Sequence, residues 1–211
     1  MNKLMSIFNW IFKMAYLNGL WILFSLVGLV IFGFFPSTIA MLTICKKWLN
    51  GEEELPIFKT FMNVLKAEKL RGNLLGWILV SIGAVLYANF LVIQANVESV
   101  SIIFIFSFYL IAFLYIVTLT HVFPLYIHYK VPLLIIIKNA FIMSLSNIHF
   151  SGGMIISQSA IYYVMFSYPA SALFFLGSVQ AMIQMWLAVR SFHRIEMKVE
   201  RLRMKQESNI A

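Results

Sequence analysis

The stretch Gly33-Phe34-Phe35-Pro36-Ser37-Thr38-Ile39-Ala40-Met41-Leu42-Thr43-Ile44-Cys45-Lys46-Lys47-Trp48 decides how the chain is read. An apolar run leads into it, and Pro36 lacks the amide hydrogen that a continuing helix needs. Ser37 and Thr38 then offer hydroxyls that cap a new helix. Lys46-Lys47 marks the exit from hydrocarbon. This pattern predicts a first membrane span over residues 15–35 that stops at Pro36, followed by a helix restarting at the Ser37-Thr38 cap. At 1.5 Å per residue, Ser37–Leu49 is about 20 Å long, too short for a hydrocarbon core of about 30 Å. It is therefore expected as a re-entrant or surface-lying helix packed beside the first span.

Composition carries the same message outward. Hydrophobic residues make up 62% of the 211, charged residues 11%, and mean hydropathy is +0.88. Soluble domains sit near 45–50% apolar and 25% charged. The uncharged runs Ala15–Cys45, Gly72–Val97, Ser99–Tyr129 and Asn139–Val189 each exceed the roughly 18 residues that propose a span. The expected fold is all-α: one polytopic helical membrane domain over residues 1–211, with about five transmembrane helices plus short re-entrant or interfacial amphipathic helices. Lys3 and Lys13 ahead of an apolar run resemble a signal peptide. That run is too long for an h-region of about 7–15 residues and no small-x-small site follows, so the segment is expected to be retained. Cys45 is the one cysteine, which excludes an internal disulfide and reads best as a small apolar helix residue.

The remaining spans are expected at residues 73–94, 102–123, 151–168 and 170–189. A second Phe-Pro pair, Phe123-Pro124, ends the third span, and Tyr168-Pro169 turns the fourth into the fifth. Amphipathic segments on one face cover residues 37–71 and 130–147, and a basic helical tail covers 190–211, with Phe192, Ile195, Val199 and Leu202 at helical spacing. Pro56 opens a helix in which Phe58, Phe61, Met62 and Leu65 recur at i, i+3, i+4, i+7. It reads as a helix on the membrane surface or as a turn packed on the bundle. Pro56 precedes Asn63 by the spacing that separates Pro132 from Asn139, an echo too thin to set against chance.

Charge orients the chain. The segments after spans one, three and five hold fourteen of the 16 Lys and Arg residues, and the two other connections hold none. Basic loops face the cytoplasm, which predicts a multi-pass cell-membrane protein with its N-terminus outside and its C-terminus inside. The excess of +8 is read as contact with the lipid bilayer and not with nucleic acid.

The spans contain no Asp, Glu, Lys or Arg, and the chain has no Asp at all. Carboxylate relays and paired-carboxylate hydrolysis are thereby disfavoured. There is no Gly-rich phosphate loop and no HExxH or other metal-ligand spacing. No catalytic, metal or cofactor residues are therefore assigned, no cofactor is expected, and the protein is read as not an enzyme. His121 and His128, seven apart on one face, read as interfacial hydrogen-bonding residues. The candidate structural and partner residues are uncharged. Asn18 and Trp21 sit one turn apart, where Asn18 bonds to another helix, to its own backbone or to interfacial water. Pro36, Ser37 and Thr38 make the break; Phe58, Phe61, Asn63 and Asn139 lie on the amphipathic segments. Gln180 and Gln184, one turn apart, grip a neighbouring helix or, with Gln158, line a polar path.

Asn18-Gly19-Leu20-Trp21, then Phe35-Pro36-Ser37-Thr38-Ile39-Ala40-Met41, then Gly51-Glu52 ahead of an amphipathic helix with Phe58 and Phe61 resemble, in that order, the YesL-like bacterial membrane proteins. The resemblance covers residues 10–195 in hydropathy order as well as motif. That family is a domain of unknown function, so it implies no catalytic residues. It implies genes often placed beside carbohydrate-uptake ABC transporters and polysaccharide-degrading enzymes. The expected function is a non-enzymatic accessory component of carbohydrate ABC uptake that contacts permease subunits or itself; the alternative is a small transporter or channel protomer.

Overall fold

The computed structural model describes residues 3–208; Met1, Asn2 and residues 209–211 of the expected tail lie outside the described residues, as do the side chains of Val199 and Leu202. Among the described residues eight helices follow one another: α1 (Lys3–Val27), α2 (Phe34–Leu49), α3 (Ile57–Ala67), α4 (Arg71–Ala95), α5 (Ile102–His128), α6 (Leu133–Ser146), α7 (Ile148–Ser167) and α8 (Pro169–Ser208). No strand occurs among the described residues. Within these elements Leu4–Val27, Arg71–Ala95, Ile102–His128 and Pro169–Met197 are long and apolar enough to cross a membrane. The pair α6 and α7, bent by 96° at its junction, makes a fifth if it is counted as one broken span. The protein is thus an all-helical membrane protein with four to five helices of spanning length. Wide exposed apolar faces on α4 and α5, including Val85, Val92, Phe106 and Ile111, are what lipid-facing helices present.

Two apolar cores hold the helices. One gathers Ile39, Leu75, Leu79, Val122, Leu125 and Phe192. The other gathers Leu17, Leu20, Met41, Ile44, Phe61 and Met185. α2 contributes to both, and nine of its residues, among them Pro36, Ser37, Ile39, Cys45 and Trp48, are buried. It is an interior helix, not a surface-lying one, because apolar side chains surround nearly its whole circumference.

The break between α1 and α2 falls at residues 28–33, before Pro36 and not at it. Helix α2 has Gly33 as its N-cap, with no side-chain cap, and Pro36 sits in its first turn, where a missing amide hydrogen costs least. The expected Ser37-Thr38 cap is not formed: Thr38 Oγ1 donates back to Phe34 O at 2.8 Å. The reason is steric. A side chain on Gly28 or Gly33 would overlap the opposing backbone, so only this pair lets the chain fold back so tightly. Leu29 and Val30 between them take φ of 53° and 62°, each at a cost of about 1–2 kcal/mol. The turn is held from α4, where Trp77 Nε1 donates to Ile31 O at 3.2 Å and Asn73 Nδ2 donates to Phe32 O at 2.9 Å. Irregular backbone bearing exposed Leu29, Ile31 and Phe32 needs such protein donors at membrane depth.

The hairpin also brings two distant segments of the chain together. Lys13 on α1 pairs with Glu54 at 3.6 Å and donates to Glu53 O at 2.9 Å, just beyond the end of α2. The chain therefore leaves and re-enters at one end of the molecule. Lys46 near Ile127 O, Arg71 bonded to Val131 O, and Tyr129 bonded to Glu196 bring α2, α4, α5 and α8 to that same end.

The third expected boundary differs too. Helix α5 runs through Pro124 to His128. The proline removes one helical hydrogen bond, and a neighbouring helix supplies the replacement described below.

Candidate functional site

Asn18 lies fully buried on α1 against α8. Its Nδ2 donates to Leu173 O at 2.7 Å, while its Oδ1 accepts the amide hydrogens of Gly177 at 2.9 Å and Ser178 at 3.1 Å. Leu173 and Gly177 are four apart, so one side-chain amide engages both ends of a single helical turn. Gly177 permits this: a Cβ there would stand 2.9 Å from Asn18 Oδ1 and 3.0 Å from the Trp21 ring. One turn further along α1, Trp21 Nε1 donates to Thr38 Oγ1 at 3.0 Å. Of the readings open for Asn18, the bond to another helix is the one realised.

Beside this cluster lies a cavity of about 230 Å³, whose walls include Trp21, Thr38, Tyr162, Gln180 and Gln184. Four candidates from α1, α2 and α8 thus meet around one space. Gln184 Nε2 donates to Thr120 O at 2.9 Å, the carbonyl four residues before Pro124. Gln180 lines the cavity and its amide has no hydrogen-bond partner among the described residues. Gln158 is not on its walls. An uncharged aromatic, amide and hydroxyl lining can orient a small neutral molecule by hydrogen bonds; it offers no acid–base pair.

The other candidates lie elsewhere. Ser37 is buried and its Oγ has no hydrogen-bond partner among the described residues. Phe61 is fully buried in the second core, with its ring 5.7 Å from that of Phe24, so it is not a surface contact. Phe58, one turn earlier, is 51% exposed. Asn139 is exposed on α6 and has no side-chain hydrogen bond among the described residues. His121 is buried, not interfacial, and its Nδ1 lies 3.0 Å from Thr120 Oγ1.

Asn63 lines a second cavity of about 550 Å³ at the basic end, roofed by α3 and walled by α2, α4 and α5. Glu68 accepts the hydroxyl hydrogen of Tyr126, and the Arg71 guanidinium lies 5.6 Å over the Tyr126 ring. On the rim, Tyr129 donates to Glu196 at 2.8 Å. Burial, then the Glu196 carboxylate, pushes the Tyr129 phenol up to about 12. These groups went unmarked in the sequence, as did Asn73, Trp77 and Tyr115, whose hydroxyl donates to Leu79 O at 2.8 Å. The available signal was an amide and an indole one turn apart at the start of a span, in Asn73 and Trp77 as in Asn18 and Trp21.

A family model described as "Protein of unknown function, DUF624" matches residues 14–90, which include Asn18, Trp21, the α1–α2 turn and Asn73. The chain is similar to the "Uncharacterized protein YesV" of Bacillus subtilis (strain 168), 35% identical over 87% of this chain and 88% of that protein. It is likewise 30% identical to the "Uncharacterized protein YesL" of the same strain, over 95% of this chain and 94% of YesL. The "Uncharacterized protein YteU" of that strain is 29% identical over 95% of this chain and 88% of its own length. No solved structure matches the chain.

Proposed function

The chain belongs to the DUF624 family of YesL-like proteins, and from that premise we propose that it is a non-enzymatic accessory membrane protein that acts by contact with the permease subunits of a carbohydrate ABC importer. One observation carries the reading. Asn18, Trp77, Tyr115 and Gln184 each spend a polar side chain on the backbone of a neighbouring helix or turn. Interior polarity used in this way makes a stiff packing unit, not a polar route through the membrane. The gene neighbourhood implied by the resemblance supplies the partner class. The basic end, with both ends of the α1–α2 hairpin, faces the cytoplasm of the cell membrane on this reading, in keeping with the positive-inside tendency. Purification from the native host in mild detergent, with mass spectrometry of what co-elutes, tests it. Stoichiometric permease subunits are expected; a partner-free homo-oligomer overturns the proposal.

The cavity at Gln180 and Gln184 favours a second reading, a small transporter or channel protomer. It requires solute flux in liposomes that contain this protein alone, and loss of that flux in Gln180→Leu.

A further inference from the structure

The cavity at the basic end is lined by two cations, Arg71 and Lys130, and one carboxylate, Glu68, so its lining carries a positive excess. Arg71 is anchored there by its bond to Val131 O at 2.6 Å and by its stacking over Tyr126. A guanidinium has five N–H donors, and no further partner of Arg71 occurs among the described residues. Lys130 lines the same space, exposed and without a hydrogen bond or ion pair among the described residues. Asn63 adds a side-chain amide, also unpartnered among them. Glu68 keeps its negative charge while it accepts the Tyr126 hydroxyl hydrogen, and it forms no ion pair with either cation among the described residues.

One anchored cation, one cation free among the described residues and a neutral donor around an open space complement a tetrahedral oxyanion better than a planar carboxylate, since acceptors must meet donors arriving from α3, α4 and the segment after α5. At about 550 Å³ the cavity also exceeds an inorganic ion and has room for the organic part of an ester. Its position where basic helix ends leave the apolar layer is where phosphodiester headgroups lie. We propose that this cavity binds the phosphate group of a phosphate ester, with Arg71 and Lys130 as its cations and Asn63 as a neutral donor. The ester is either an anionic phospholipid headgroup or a soluble phosphate monoester, and the chemistry is shared by both.

The test uses the full chain in neutral detergent. Its thermal unfolding is followed during titration with phosphatidylglycerol, with phosphatidylcholine, and with glycerol 3-phosphate at matched ionic strength. Saturable stabilisation by phosphatidylglycerol but not phosphatidylcholine, with the half-saturating concentration rising about tenfold in Lys130→Gln and unchanged in Arg203→Gln, is the expected result. The same pattern with glycerol 3-phosphate assigns the site to a soluble ester. Lys130 is exposed and unpartnered, so its loss leaves the fold intact. No stabilisation by either phosphate ester overturns the proposal. So does an unchanged response in Lys130→Gln, or an equal weakening in Arg203→Gln, which would make the effect one of diffuse surface charge.

Discussion

Gln184 on α8 donates to the carbonyl of Thr120 on α5 across 2.9 Å, and that carbonyl is the one that Pro124 leaves without an amide hydrogen. At the other Phe-Pro pair no ladder bond is lost, because Pro36 lies in the first turn of α2; there Asn73 Nδ2 donates from α4 to Phe32 O, in the turn that precedes the helix, at 2.9 Å. Pro124 thus opens a helix ladder at a place where a second helix brings an amide. In a layer without water, such a carbonyl has no other source of a hydrogen bond.

Gln184→Leu is therefore expected to destabilise the protein by about 1–3 kcal/mol, the cost of an unsatisfied buried acceptor. Pro124→Ala restores the backbone donor, so in that background the cost of Gln184→Leu falls by more than half. Thermal unfolding of the four variants of this cycle in detergent measures the coupling. Equal costs in both backgrounds would sink the argument.

Asn18→Ala removes three hydrogen bonds between α1 and α8 and is expected to cost more than Gln184→Leu. Gly177→Ala is expected to be damaging as well, since its Cβ meets Asn18 Oδ1 and the Trp21 ring. The two changes together are expected to cost less than their sum, because the smaller residue at position 18 makes room for the methyl group. Additive losses would mean that the two sites do not touch.

Asn73→Leu and Trp77→Phe each leave a carbonyl of the α1–α2 turn without a donor. Amide hydrogen exchange in residues 29–34 is expected to accelerate in both, while residues of the α4–α5 hairpin near Phe90 and Phe108 keep their protection. Unchanged exchange in the turn would show that α4 does not hold it.

Phe61→Ser is expected to cost about 3–5 kcal/mol, the range for emptying a buried aromatic site, and Phe58→Ser within about 1 kcal/mol. Denaturation midpoints compare them. Equal effects would contradict the burial of Phe61, and only Phe58→Ser is then a fair probe of partner contacts on this helix.

Single cysteines introduced at Asn9, Glu53 and Glu98 test the hairpin topology in intact cells. Positions 9 and 53 are expected to be labelled from the same side by an impermeant maleimide, and position 98, beyond the far end of α4, from the other. Cys45 is fully buried and is expected to stay unlabelled until the protein unfolds. Labelling of positions 9 and 53 from opposite sides would restore a single crossing before α2.

Much of the helix inventory was legible along the chain, because a helix in an apolar layer satisfies its backbone locally. The expected spans 73–94 and 102–123 fall within α4 and α5, and Pro56 and Pro132 are the N-caps of α3 and α6. Pro36 misled for a local reason: a proline is equally at home after the start of a helix as at its end, and Gly28 with Gly33 decided between them. Phe61 misled because an amphipathic pattern does not say what covers its apolar face. Asn18 and Gln184 were marked as groups able to grip a helix, without any indication of which carbonyl they would reach.

By itself, then, the sequence determined an all-helical membrane protein with uncharged helix interiors and a concentration of cations in a few segments, since length and polarity of local runs are enough for that. Only the tertiary structure decided that α1 and α2 return to one end, that Thr120 O regains a donor from α8 while the turn carbonyl of Phe32 finds one on α4, and that Arg71, Lys130 and Asn63 share a cavity. Those outcomes depend on contacts between residues far apart in the chain, 155 positions in the case of Asn18 and Leu173. No periodicity within a helix records which face of another helix will come to meet it.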